Sequence, residues 1–517
     1  MKKLPKIFVF LFCCLLLIGV MTACSKSGSQ SSASSSGTQL PPGTVMGPNG
    51  KPIKEEITVA LQINPTSMDP HFGTENASRR VTNLIYERLL FFNAFAGTIE
   101  PAIAQSWDIN GKEITFHLRR DVKFHNGKQL TAADVKYSFD RMATMPRAAS
   151  FVSMVEKVEI VDDYTVKVTL SAPSPSFLLN LTHMITAIIP EGSGDTIADN
   201  PIGCGPYKFV EWKTDDYVLF ERFDDFFGGA KPTPRIRFPI IPDHAARLLT
   251  LEAGDIDFAI LAHNTDYSFL KNRSDITLHS IASAILEYIG FEATKPPFND
   301  IHARRAVSYA INKDAFIDTV FEGEFTKRMS VLLPGTPGYK EVDSCEYDPA
   351  KARDELALSA YPNGFNFVLA SSPARGLYIE AVQYDLAQVG IKMTFEPVAS
   401  VPNYCVAGYE GAFITSFSNP ELDGGTLFAY LHSKGASSYG NFVNPRLDQL
   451  FEAAEIEMDM EKRAAMYAEI SDIVAAEAYV VPLYSMVYCD AGNSHVKGAE
   501  AHPSTICYYY NLYYEYD

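Results

Sequence analysis

"PAIAQSWDINGKEITFHLRRDVKFHNGKQLTAADVKYSFDRM", residues Pro101 to Met142, alternates apolar and polar side chains, turns at Asn-Gly, alternates again and turns at a second Asn-Gly. Alternation with period two marks a half-buried strand, and Asn-Gly supplies the positive φ angles that a tight hairpin needs. The spacing predicts two strands joined by a hairpin, then a second hairpin. His117 and His125 fall on these strands as sheet residues rather than ligands. From "LTAADVKYSFDRM" the period becomes helical. Thr131 stands at the N-cap and Asp134 in the first turn, where free N–H groups and the helix dipole favour a carboxylate.

The same two periods recur along the chain. "EEITVALQI", "KVEIVDDYTVKVTLSAP" and "GPYKFVEWKTDDYVLFERF" predict a strand, a hairpin and a further strand pair. "ASRRVTNLIYERLLFF", "DIHARRAVSYAINKDAFIDTVF" and "EKRAAMYAEISDIVAAEA" carry apolar residues at helical spacing. "DHAARLLTLEAGDIDFAIL" predicts a helix stopped at Gly254 and then a short strand. Strands and helices intermix throughout, so the class is α/β with mixed sheets. No short internal repeat is present.

The first residues form the pattern of a secretory leader. Lys2, Lys3 and Lys6 precede the apolar run Ile7 to Val20, and "MTAC" follows with small residues before Cys24. That run is too short to favour a spanning helix. A cysteine closing such a segment resembles a bacterial lipobox, which implies lipidation of Cys24 after removal of residues 1–23. Residues 24–52 are rich in Ser, Gly and Pro and nearly devoid of large apolar side chains, the composition of a tether. About 465 residues remain beyond it, enough for two or three domains. The formal charge is −18, and loss of the three leader lysines makes it −21. Such a surface is a poor partner for nucleic acid. Five cysteines remain beyond Cys24 (Cys204, Cys345, Cys405, Cys489 and Cys507), an odd number that leaves at least one thiol unpaired.

No catalytic signature accompanies this layout. GxSxG, HExxH, GxxxxGK[ST] and a strand-following GxGxxG are all missing, no Cys-x-x-Cys occurs, and the 11 histidines lack metal-ligand spacing. A protein without enzymatic activity, cofactor or metal is expected.

Five blocks, in order, carry a resemblance: "PAIAQSW" with the strand and helix pattern after it, "NPIGCGPYKFVEW", "LTLEAGDIDFA", "KPPFNDIHARRAVSYAINKDAF" and "LAQVGIKMTFEPV". Together they are similar to the family 5 extracellular solute-binding proteins of ABC importers, the oligopeptide-, dipeptide- and nickel-binding type, from about Ile57 to the C-terminus. The resemblance implies the class II periplasmic-binding-protein-like fold, with two main lobes around a hinged cleft and a small inserted third lobe. Lobe I would comprise residues 53–86, 200–283 and 484–517, lobe II residues 87–199, and lobe III residues 284–483. It implies a monomer, tethered by lipid in the periplasmic space or on the outer face of the cytoplasmic membrane. That monomer would capture a peptide-like solute by closing its lobes and deliver it to ABC permease subunits. A sugar, an opine, a modified amino acid, or a sensor role without transport are the alternatives; nickel chelates fit less well without a histidine cluster.

The stretch "ITSFSNPELDGGTLF", residues Ile414 to Phe428, matches the region where peptide-binding relatives place an aspartate on the ligand's α-ammonium group. Anchored on Pro420, that aspartate falls at Ser416, and Asn419 stands where an acidic residue commonly precedes the proline. Neither carries charge. Either Asp423 takes the amine, or the ligand has no free amine there and Ser416 and Asn419 orient a neutral group. Arg375, in "SSPARGLYIEAV", matches an arginine that some relatives use for a ligand carboxylate, a role suited to a planar guanidinium fork. Cys204 replaces a threonine in the "GCGPY" block and either lines the cleft or packs. Phe417, Tyr404 and Tyr409 are candidate aromatic walls.

Overall fold

The computed structural model describes residues 41–72, 75–260, 269–322, 325–342, 346–419, 422–500 and 508–516. The leader, Cys24, most of the tether, Cys345 and Cys507 lie outside them. The tether expectation needs one correction, because β1 (Thr44–Met46) and β2 (Pro52–Lys54) already pair as an antiparallel ribbon. Ile53, directly after that low-complexity stretch and paired with Val45 in the ribbon, is fully buried. One apolar anchor is enough to fix so short a ribbon to the body.

Next come β3 (Glu56–Ala60) and α1 (Asn76–Ile85). A ribbon of β4 (Leu90–Asn93) and β5 (Thr98–Pro101) leads into a separate four-stranded sheet. That sheet holds β6 (Ala104–Asn110), β7 (Glu113–Leu118), β8 (Val155–Asp162) and β9 (Thr165–Leu170), in the order β6-β7-β9-β8. The predicted hairpins β6/β7 and β8/β9 are present. The second hairpin expected after His117 is not: Lys123 and Gln129 share one isolated bridge around a turn at Gly127. His125 therefore sits on a loop. Its ring is held between the backbones of Gly203 and Gly205 rather than by a sheet ladder. α2 (Ala132–Met142) starts at Thr131, whose N–H donates to Asp134 (2.9 Å). Asp134 is wholly buried and also accepts from Lys128 (2.5 Å) and the Glu191 N–H (2.8 Å). α3 (Ala149–Val152) and α4 (Pro175–Asn180) complete this region.

The remaining elements alternate. They are β10 (Tyr207–Lys213), β11 (Tyr217–Arg222), β12 (Arg235–Pro239), α5 (His244–Ala253), β13 (Phe258–Ile260), β14 (Ile276–Ala282) and β15 (Ile285–Phe291). α6 (Ile301–Ala310) and α7 (Lys313–Val320) follow, broken where Asn312 caps the second helix by accepting from the Ala315 N–H. Then come β16 (Phe325–Lys327), α8 (Pro349–Leu358), β17 (Asn366–Ser371), α9 (Gly376–Ala387), β18 (Lys392–Pro397), α10 (Val401–Val406) and β19 (Ala412–Ser418). α11 (Phe428–Leu431), α12 (Pro445–Ala454), α13 (Met460–Glu477) and β20 (Val480–Asn493) close the series.

One sheet of twelve strands unites them, in the order β10-β11-β12-β3-β13-β20-β15-β19-β17-β18, with β14 and β16 also on β20. Strand β20 pairs with β15 and β16 through its first half and with β14 and β13 through its second. The alternation of β15 and β19 separates two cores. Leu286, Tyr288, Phe413 and Phe417 face one; Ile289, Phe291 and Ile414 face the other. Gly290 is required between them, because a Cβ there would lie 2.2 Å from the Phe413 ring.

Three histidines, buried His71 and half-buried His125 and His183, tie the first third of the chain together as neutral rings. The Nδ1 atoms of His71, His125 and His183 accept from Arg141 (2.8 Å), the Gly203 N–H (3.4 Å) and the Ile185 N–H (3.1 Å). Burial is the main force holding their pKa values near 4, 4 and 3. The unfolded chain therefore binds more protons than the folded one as pH falls from about 6.5, at up to about 1.4 kcal/mol per pH unit for each ring. Urea unfolding is expected to show full stability above pH 7 and a steady loss between pH 6.5 and 4.5. His125→Gln should flatten part of that slope; a curve that is level across the window would contradict the neutral rings.

Candidate functional site

Ligands of open α/β sheets bind beyond the carboxyl ends of the strands. Parallel neighbours β17 and β19 end at Ser371 and Ser418. Arg375 follows the first, and the loop from Asn419 to Asp423 follows the second. Ser416, half-buried on β19, lies opposite Glu287 on β15, and both occupy the face shared with Ile289 and Ile414. The Arg375 guanidinium grips Glu287 side-on: Nε donates to Oε1, and Nη2 donates to Oε2 at 3.0 Å. The Tyr378 hydroxyl adds a third bond to the same carboxylate (2.9 Å). Burial works to lower the Arg375 pKa, and the Glu287 carboxylate outweighs it and raises it. The pair places a neutralised charge beside Ser416, at the end of the core.

The loop residues act on one another. The Asn419 N–H donates to the Ala284 carbonyl (2.7 Å), while its side-chain oxygen accepts from the Asp423 N–H (3.0 Å) and the Thr426 hydroxyl (3.2 Å). Asn419 is 1% exposed, so these bonds fix the turn. Asp423 accepts from the Gly425 N–H (3.1 Å) and forms an ion pair with Arg463 of α13 (2.9 Å). Ser176 of α4 donates to Asp423 (3.1 Å) and accepts from Arg463 (2.9 Å), joining a helix beside the four-stranded sheet to this loop. Phe417 is buried against Tyr288 and Tyr430. Tyr404 is half-buried and donates to Glu396 (2.8 Å); Tyr409 is buried and donates to the Tyr439 carbonyl (2.8 Å).

Cys204 lies elsewhere. It is fully buried in the core under the four-stranded sheet, where burial pushes its thiol well above the usual range. The glycines flanking it press on the backbone of Ile85, where a Cβ at Gly203 would come within 2.0 Å of the carbonyl oxygen. The "GCGPY" block is thus a close backbone crossing. Cys405 and Cys489 are also buried. Among the described residues no cluster of three metal-ligating side chains occurs.

Two cavities open nearby. One of about 280 Å³ lies at the two-residue crossover from β14 to β15, lined by Phe95, Ser283, Ala284, Arg328, Pro334 and Leu422 among others. It touches the candidate loop, since Ala284 and Leu422 both bond to the Asn419 backbone. The other, about 520 Å³, lies between the segment at His71 and Phe72 and the turn after α2 at Met145 to Arg147. Four site residues escaped the sequence: Glu287, Arg463, Arg328 and Ser283. Glu287 left a trace, a carboxylate at an inward position of the apolar strand "AILEYIGF". The others left none, because nothing local tells a buried arginine from a solvated one.

Comparison with known proteins gives this arrangement a class. The fold is that of the periplasmic binding proteins, α/β with mixed sheets and of the two-lobed class II type. Structural similarity to HbpA2 from Haemophilus parasuis has a TM-score of 0.81 at 25% identity, covering 88% of this chain and 99% of that one. Residues 98–439 match the family model described as bacterial extracellular solute-binding proteins, family 5 Middle. The heme-binding protein A of Haemophilus influenzae is 30% identical over 483 residues, 84% of this chain and 88% of its own. The glutathione-binding protein GsiB of Pectobacterium atrosepticum is 30% identical over 480 residues, 87% and 93%. The chain belongs to the bacterial extracellular solute-binding proteins of family 5. These matched proteins are binding proteins, not enzymes.

The Asp423–Arg463 pair is dry: the arginine side chain is 1% exposed. Losing one partner strands the other charge, which costs about 3–5 kcal/mol. Urea unfolding of Arg463→Met and Asp423→Asn should each show a loss of that order, and the double variant should lose less than the two summed. Single losses below about 1 kcal/mol would mean the pair is solvated.

Proposed function

We propose that the chain is the substrate-binding component of an ABC importer, held at the membrane through lipidated Cys24 and the tether behind it. A peptide-like solute is captured between a lobe built on residues 53–86, 200–283 and 484–517 and a lobe built on residues 284–483, and is then handed to permease subunits. Residues 87–199 form the inserted lobe. The observation that carries this reading is the twelve-stranded sheet itself. Among the described residues its two halves are continuous only through β20 and the β14–β15 crossover, the strands about which they tilt. Family membership supplies the class of function, and the glutathione-binding relative supports a peptide-like solute.

Closure transmits a signal only if the solute binds the closed state more tightly, because a ligand shifts an equilibrium by its differential affinity alone. The clefts that face solvent before closure supply those additional contacts. Similarity to a heme-binding relative keeps a non-peptide solute as the second reading.

Thermal unfolding against a panel of di- and tripeptides, sugars and amino-acid derivatives tests the reading. A bound solute at 100 times its Kd adds about 2.7 kcal/mol and raises the midpoint. Peptides are expected to shift it, with the solute recovered unchanged. Turnover of a panel member, or no shift with any of them, would contradict the reading.

A further inference from the structure

The cavity at the β14–β15 crossover is largely apolar, walled by Phe95, Ala284, Pro334 and Leu422, and three polar side chains, Ser283, Thr326 and Arg328, interrupt that wall. Ser283 is 1% exposed, and although its N–H donates to the Met486 carbonyl (2.7 Å), its hydroxyl has no hydrogen-bond partner. Arg328 is 9% exposed and its Nε donates to the Ser485 hydroxyl (2.9 Å). Among the described residues no carboxylate lies within ion-pair distance of its guanidinium. Glu341, the carboxylate that draws on it from further away, is engaged by the Tyr339 hydroxyl. A buried guanidinium without an anion in contact and a buried hydroxyl without a partner are both costly, and the single bond to Ser485 offsets only part of the first cost.

The carboxylates nearest the loop are already matched. Glu287 neutralises Arg375, and Asp423 neutralises Arg463. The uncompensated charge in this part of the cleft is therefore positive, the opposite of what a ligand ammonium group needs. The cavity's 280 Å³ falls just below the usual range for a whole small-molecule site, which suits one end of a larger solute.

We propose that this cavity is a subsite for an anionic group of the solute, a carboxylate, bound directly by the Arg328 guanidinium and the Ser283 hydroxyl. The inference rests on the solute-binding reading above and extends it from class to ligand chemistry. The planar guanidinium offers two parallel donors to a carboxylate, and the serine hydroxyl donates a third bond. An occupant there touches the crossover itself: Ser283 joins β14 to β15, and Arg328 follows β16, so both sit against β20.

Calorimetric titration of the full chain with N-acetyl dipeptides, each prepared as the free acid and as the C-terminal amide, provides the test. The acids should bind at least tenfold more tightly than their amides. Arg328→Gln should abolish that preference, Arg328→Lys should keep part of it, and Ser283→Ala, a conservative change that leaves the charge in place, should weaken the acids several-fold. Equal affinity for acid and amide, a preference that survives Arg328→Gln, or no binding by any acid would each overturn the proposal. Amides or sugars that bind without regard to Arg328 would leave the solute-binding reading standing while removing this one. A chain that binds no compound of either kind would remove both.

Discussion

Strand β20 is the constraint on which the rest of the molecule depends. Its fourteen residues, Val480 to Asn493, are hydrogen-bonded to β15 and β16 at one end and to β14 and β13 at the other. The two parts of the large sheet thus share a single strand. Buried residues on either side of it belong to different cores, with Val481 and Leu483 in one and Ala491 in another. A backbone ladder resists stretching and shear but tolerates twist. The crossover at Ser283–Ala284, fixed by the Ser283 N–H on the Met486 carbonyl, adds a second strand running alongside. Both chain crossings sit beside the cavity.

Charge pairing explains why the loop between β19 and α11 does not present a carboxylate. Asp423 is the nearest acidic residue in sequence to Ser416, where the resemblance puts an amine receptor, but in the fold it is the meeting point of α13, the loop and α4. Glu287 has the position in space, directly across from Ser416, and is gripped by Arg375 and Tyr378. Two arginines have each taken a carboxylate, and a third, Arg328, has none within ion-pair distance among the described residues. Which arginine is left over is a property of three-dimensional neighbours and not of any motif.

That distinction also marks how far the sequence could be read. Hairpins with full alternation, such as β6/β7 and β8/β9, were legible because the pattern repeats over six or more residues. The segment around His125 failed because its apolar residues serve a loop packed on Gly203 and Gly205, where alternation has no sheet behind it. The ribbon at Ile53 was hidden in low-complexity sequence, since one buried side chain is too little signal to oppose a run of Ser, Gly and Pro. For the candidate site, Arg375 and the Ser416–Asp423 loop were nameable as candidates from resemblance. Their partners were not, because the register that sets Glu287 against Ser416 joins residues 129 positions apart.

The central claim is that the two halves of the twelve-stranded sheet tilt toward each other around β20 when solute binds. Spin labels at exposed Leu249 on α5 and exposed Leu377 on α9 would report the distance between them directly. A distance that shortens when a tightly bound solute is added, and that returns when the solute is removed, is the predicted result. An unchanged distance in a protein shown by calorimetry to be saturated would contradict the account.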